Sequence, residues 1–163
     1  MANAYLGIEH PFEPVWDVHS HVLVLGTFPS VKSRENSFYY GHPQNRFWQV
    51  LALLFHESVP ASVAEKRALL LRHGVALWDV LASCDITGSS DGSIRNPIPN
   101  DIVSLLRKAP IQKVFANGQA ASSLYRKYCL PNTGVDAIPL PSTSPANAAW
   151  SVERLALAWQ ALL

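Results

Sequence analysis

Val22-Leu23-Val24-Leu25-Gly26-Thr27-Phe28-Pro29-Ser30 is the stretch that decides the fold. Its first four residues form an apolar run with no polar alternation, as expected for a strand of a parallel sheet covered on both faces. The Gly and Pro that follow turn the chain out of the strand into a loop able to present backbone N–H groups to an anion or carbonyl. Further apolar runs bounded by turn or polar residues cover 75–80, 113–117 and 135–140. Helical patterns lie between them. Residues 46–55 carry Phe47, Val50, Leu51 and Leu54 at helical spacing, and 61–73 is a good helix former with Glu65, Lys66 and Arg67 on its polar face. Asn100 can cap a helix through Leu106, 119–128 follows a Gly, and 150–163 closes the chain; the Ser/Gly/Asp-rich run 87–93 reads as a long loop. Alternating strands and helices predict an α/β protein, a three-layer α/β/α sandwich with a four-stranded parallel sheet.

Length and composition bound the rest. At 163 residues the chain is expected to form one domain over 1–163. A hydrophobic content of 48% with five Trp is too apolar for a disordered chain. A net charge of +1 lacks the strongly basic footprint of a nucleic-acid coat protein, although a local basic rim could still hold a phosphate backbone. Cys84 and Cys129 stand far apart with no CxxC around either. A disulfide framework, a zinc knuckle and an iron–sulfur site all lack ligands, so a cytoplasmic setting is expected. No stretch approaches the roughly 20 apolar residues of a membrane span. We expect a monomer with no membrane association and no cofactor.

Open parallel sheets bind ligands at the carboxyl ends of their strands. That edge collects 27–30, Asp79, Asn117 with Gly118, and the loop 142–147. In Tyr39-Tyr40-Gly41-His42-Pro43-Gln44-Asn45-Arg46-Phe47-Trp48 the aromatic pair can stack on a planar ligand. Asn45 can orient a water with its carbonyl oxygen, or cap the helix that follows. Asp79 can accept a hydrogen bond from a ring N–H, or cap a helix, or pair with an arginine. Asn117 offers both donor and acceptor, or the N-cap of the next helix. Ser142-Thr143-Ser144-Pro145-Ala146-Asn147 concentrates hydroxyls suited to phosphate oxygens, and Lys32, Arg34, Arg46 and Arg95 can line a basic rim. His19-Ser20-His21 mimics a metal-binding pair but falls before its strand, at the opposite edge of the sheet, so no metal is expected. A serine hydrolase is disfavoured because no G-x-S-x-G elbow is present.

Taken together, Gly26-Thr27-Phe28-Pro29-Ser30, Tyr40-Gly41-His42-Pro43-Gln44-Asn45-Arg46-Phe47-Trp48 and Ser142-Thr143-Ser144-Pro145-Ala146-Asn147 resemble the uracil-DNA glycosylase superfamily, most closely its hypoxanthine-DNA (deoxyinosine) glycosylase branch. The resemblance implies a four-stranded parallel sheet and an enzyme that flips a deaminated base out of DNA and hydrolyses its N-glycosidic bond without metal or cofactor. By this resemblance Asn45 positions or polarises the attacking water, Tyr40 stacks on the extruded base beside Phe28, and Asp79 or Asn117 reads the base edge. Ser30, Ser142 and Ser144 contact DNA, and Ala146 and Asn147 enter the vacated stack. Three departures stand out. Phe28 replaces the Asp of the uracil-specific branch and the Asn of the mismatch-specific uracil/thymine branch, Ser142 replaces a catalytic His, and Ala146 replaces a wedge Leu. These leave open a mismatch-specific enzyme of the uracil/thymine type, a non-catalytic damaged-DNA binder, and a nucleoside hydrolase using the same crevice.

Overall fold

The computed structural model describes residues 4–10, 12–36 and 38–163, with the side chains of 4–6, 31, 32 and 36 set aside. Lys32, one of the expected rim cations, therefore lies outside the described side chains. In chain order the elements are β1 (Ala4–Glu9), β2 (Val22–Gly26), α1 (Val31–Asn36), α2 (Phe47–Phe55), α3 (Val63–Arg72), β3 (Val75–Asp79), β4 (Leu81–Thr87), β5 (Arg95–Pro99), α4 (Ile102–Lys108), β6 (Lys113–Asn117), α5 (Gln119–Tyr128), α6 (Leu130–Thr133), β7 (Ala137–Leu140) and α7 (Val152–Trp159).

Four strands form a parallel sheet in the order β3-β2-β6-β7. The run that opened the sequence reading is its centre, buried along its whole length. Alternate residues of β2 feed opposite cores, as the period of two in a strand requires. Val22 and Val24 join Leu77 and Phe115 under α2, α3 and α7, where Phe47, Leu51, Leu69 and Trp159 pack. Leu23 and Leu25 join Ala76, Val114 and Ala116 under α4 and α5, where Ile102, Leu105, Ala121 and Tyr125 pack. These are the two covered faces of the expected sandwich.

Strand order reverses at β2. The chain passes from β2 to β3 on one side and returns to β6 on the other, so the carboxyl ends of β2 and β6 splay apart into a crevice. Register aligns the residues that frame it. Gly26 faces Asp79 across β2 and β3, and Asn117 follows Ala116, which faces Leu25 across β2 and β6.

A second, antiparallel sheet of order β1-β4-β5 was not expected. It includes part of the segment read as a loop at 87–93, and its pairing is irregular, with register shifts in both ladders. β4 starts two residues after Asp79, and Leu81, Cys84 and Ile86 from it complete the second core. Two capping expectations also change. Asn100 does not cap α4; Asp101 does, accepting the Ser104 N–H at 3.1 Å. Asn100 is used instead to stitch the β3–β4 corner, its Nδ2 donating to the carbonyls of Asp79 and Leu81 at 2.9 and 3.1 Å. Gly118, at φ 95°, occupies the N-cap of α5, and Asn117 turns elsewhere. His21 packs against Gly74 at the amino end of β3, remote from the crevice. Among the described residues no group of three or more His, Cys, Asp or Glu is placed to hold a metal. No helix is long and apolar enough to cross a membrane.

Candidate active site

The crevice is a cleft of about 350 Å³, within the range of sites that enclose small ligands. Phe28, Ser30, Tyr40, Asn45, Asp79, Asn117, Ser142, Ser144 and Ala146 all line it. Residues nearly 120 positions apart in sequence thus meet in one place. Asn147 lies in an adjoining outer depression that shares Ser142, Ser144 and Ala146 with the cleft.

One wall is a hydrogen-bonded chain of neutral groups. The Phe47 N–H, the first of α2, donates to Asn45 Oδ1 at 2.9 Å, and the buried Thr143 hydroxyl donates to the same oxygen at 2.9 Å. Asn117 Nδ2 donates to Thr143 Oγ1 at 3.0 Å, and the Thr143 N–H donates to Asn117 Oδ1 at 3.1 Å. Two backbone N–H groups, which can only donate, dictate the orientation of both amides. Asn45 must turn its oxygen to the helix start, and Asn117 must turn its oxygen to the loop. The Thr143 proton is then left for Asn45. Asn45 thus satisfies the first N–H of α2 from the position before the N-cap, Arg46, while lining the cleft, and both lone pairs of its carbonyl oxygen are taken. Its contribution to the cleft is the Nδ2 donor, which has no partner among the described residues.

Arg46 fixes this wall mechanically. Its guanidinium donates to the carbonyls of Thr143, Ser144, Asn147 and Trp150, and its backbone N–H donates to Thr143 O at 3.1 Å. The expected rim role for Arg46 is overturned, since its donors are consumed inside the protein. Arg95 bends back onto the carbonyls of Gly92 and Ile94, and Arg34 donates to Gly88 O while lying 5.8 Å over the Phe28 ring. In the loop itself the Ser142 hydroxyl accepts the Ser144 N–H and the Ser144 hydroxyl accepts the Ala146 N–H, at 3.1 and 3.2 Å. Each hydroxyl keeps its proton to donate outward. Ser30 Oγ accepts the Ser33 N–H at the start of α1, so it is a helix cap that also borders the cleft.

The opposite wall is charged. Asp79 is 3% exposed, and its Oδ2 lies 2.8 Å from His10 Nε2, a partner 69 residues away. Its Oδ1 has no hydrogen bond among the described residues. Asp91, from the β4–β5 connection, also borders the cleft. The cleft walls crowd it although the residue as a whole stays exposed. That desolvation, with the Asp79 charge, pushes its carboxyl up to about 6.

Tyr40 lies between the walls. It adopts φ 53°, a left-handed conformation costly for a bulky residue and commonly associated with functional sites. Phe47 covers one face of its ring, with centroids 4.1 Å apart at 23°. Tyr40 also lines the cleft. Its buried hydroxyl makes no hydrogen bond. Burial and then the Asp79 charge hold the phenol well above its ordinary range, partly offset by Asn117, which approaches without completing a bond. Burial also pushes the Cys84 and Cys129 thiols up to about 11, which leaves no reactive thiolate at neutral pH. Sequence reasoning missed His10, Thr143 and Asp91. Only Thr143 carried a signal, its place in the hydroxyl-rich loop.

Residues 14–163 match the Uracil DNA glycosylase superfamily. The chain belongs to that family. It is 32% identical over 149 residues to a hypoxanthine DNA glycosylase of Methanosarcina acetivorans, covering 90% of this chain and 93% of the relative. A hypoxanthine DNA glycosylase of Methanosarcina barkeri is 31% identical over 138 residues, 83% and 86% of the two chains. A candidate uracil DNA glycosylase from Methanosarcina acetivorans, solved by solution NMR, superposes with a TM-score of 0.80 at 30% identity, over 98% of this chain and 96% of that one. With the family comes the activity class, DNA glycosylase.

Proposed function

We propose that this glycosylase excises hypoxanthine from DNA, with uracil as a second base, and that the cleft takes up the flipped nucleotide. The observation that carries the reading is the opposition of a fixed amide donor at Asn45 to an unpaired carboxylate oxygen at Asp79, with the Tyr40 ring between them. Hypoxanthine N1–H and uracil N3–H are donors that Asp79 Oδ1 can accept, whereas adenine N1 is a lone pair and is repelled. Asn117, tied to Thr143 through both ends of its amide, supports the opposite wall.

Departure of the base leaves an oxocarbenium-like sugar. The base leaves with the bonding pair as an anion, and water attacks the cation without a strong base, its proton passing to the departed base, so the lack of a carboxylate at Phe28 is tolerable. Asn45 Nδ2 donates to the oxygen of that water and holds it in place, leaving the remaining lone pair for C1′. Ser142 and Ser144 donate to flanking phosphates, and Ala146 and Asn147 face the gap in the stack. We propose that the enzyme acts as a monomer in a reducing compartment, consistent with the free, buried cysteines.

Duplexes carrying hypoxanthine, uracil or xanthine, incubated with the protein and then treated with alkali, test this. Strand breaks at hypoxanthine first and uracil second are expected. Tight binding to all three without breaks would identify a non-catalytic relative, and cleavage of free inosine alone would identify a nucleoside hydrolase.

A further inference from the structure

His10 appears in no motif, yet it is the residue that closes the charged wall. It directly follows β1, and its N–H donates to Ala82 O at 2.6 Å, extending the β1–β4 pairing. The small antiparallel sheet thereby delivers His10 to the carboxyl end of β3. There its ring is enclosed by Phe12, Phe28 and Tyr39, at centroid distances of 5.3, 6.0 and 5.7 Å. The His10 and Asp79 side chains are 3% and 5% exposed. A buried carboxylate needs a partner to offset its desolvation, and this is the one the fold supplies.

We infer that His10 is a specificity-determining positioning residue: by capturing Asp79 Oδ2, it keeps the cleft-facing Oδ1 a hydrogen-bond acceptor and so restricts excision to bases with a ring N–H. The inference rests on the reading of the cleft as a base pocket. It does not depend on which partner owns the shared proton. If His10 owns it, Nε2–H donates to a carboxylate; if Asp79 owns it, Oδ2–H donates to Nε2. In both arrangements Oδ1 carries lone pairs and no proton. Contacts of Nδ1 with the Phe12 carbonyl at 2.9 Å and the Phe12 N–H at 3.2 Å suit either state. Without His10 no partner among the described residues would hold Oδ2, and the carboxyl could turn either oxygen, or a proton carried on it, toward the base. The proton could then settle on Oδ1 and be donated to a base with a lone pair at that position, which is the pattern of adenine.

The test compares release of hypoxanthine with release of unsubstituted purine, which has a lone pair at N1, from otherwise identical duplexes. The wild-type protein should prefer hypoxanthine, because a site built around a substrate N–H strongly rejects the analogue lacking it. His10→Leu should reduce that preference by about tenfold or more, since one lost hydrogen-bond constraint of this kind is of that order. His10→Gln, which retains an N–H donor, should restore it. Equal losses on both bases, or an unchanged ratio, would overturn the inference and leave His10 a packing residue. Failure of the pocket reading looks different, because the wild type then releases neither base. Should His10→Leu not fold, proton NMR of the wild-type protein decides. A duplex carrying non-hydrolysable 2′-fluoro-deoxyinosine should shift the His10–Asp79 proton, and the 2′-fluoro-deoxyadenosine duplex should not. Equal shifts, or none, would overturn it.

Discussion

Asp79 and Asn117 end the two strands that flank β2, and their side chains are held in opposite ways. Asn117 gives both ends of its amide to Thr143 and through it supports Asn45. Asp79 gives one oxygen to His10 and leaves the other toward the cleft. One strand end has become scaffold, and the other keeps an oxygen for the reading role proposed above. The lesson is that a polar residue at the carboxyl edge of a sheet is not assigned by its position; what its atoms already hold decides what remains for a ligand.

The comparison can be broken most decisively at Asn45. Asn45→Asp keeps an oxygen for Phe47 and Thr143 but replaces the donor with a second oxygen, so kcat should fall by about 10²–10³-fold, as on loss of one aligned transition-state donor. Retention of activity in single-turnover assays would mean that the residue acts through an acceptor, and the orientation argued for the neutral wall would be wrong. Next come Thr143→Val and Asn117→Ala, each expected to lower kcat by about ten- to a hundredfold through a misplaced Asn45. Thr143→Ser should retain most of the rate. Neither change should alter the hypoxanthine-to-uracil preference, and a shift in that preference with Asn117→Ala would make Asn117 a reader after all.

Arg46→Met strips donors from four loop carbonyls. A loss of about 2–3 kcal/mol is expected, because hydrogen bonds to charged groups are among the stronger ones. Urea denaturation measures it, and faster amide exchange confined to 142–150 would locate it.

The smallest effect concerns Asp91. Its carboxyl, raised to about 6 in the fold, binds a proton that the unfolded chain does not bind between the ordinary Asp range and that value. Stability from this group therefore falls as pH rises through that window. Asp91→Asn should raise Tm slightly at neutral pH, with the gain vanishing below the ordinary Asp range; exposure keeps it small. The same change should tighten DNA binding at pH 7 and less so at pH 5, an effect that added salt erases. A salt-independent difference would argue against a charge at the cleft mouth.

The parallel sheet was legible because its strands are short, continuous apolar runs, a pattern that only two covered faces explain. The antiparallel sheet was not. Only Val80 separates β3 from β4, so the apolar stretch through Val80 and Leu81 looks like the tail of one strand, and β5 is Arg-Asn-Pro-Ile-Pro, with no alternation to read. Missing that sheet meant missing His10, whose only meaning is a contact 69 residues away. The hydroxyl loop was legible as a polar cluster. Which of Ser142, Thr143 and Ser144 turns inward depends on Arg46 and Asn117 pulling on the backbone, and no local spacing encodes that. Arg46 left the rim for a related reason, since a guanidinium near a ligand edge is as useful to carbonyls as to phosphates.

Gly26 faces Asp79 in the sheet register, and a Cβ built on it would run into Asp79 Oδ1 and lie 2.8 Å from the Tyr40 hydroxyl. Asp79 and Tyr40, the proposed reader and stacking aromatic, can therefore converge only over a residue that has no side chain. Here the glycine serves as an aperture: its missing methyl is the depth to which a guest can descend, and any alanine at that position would act as an inhibitor permanently attached to the floor.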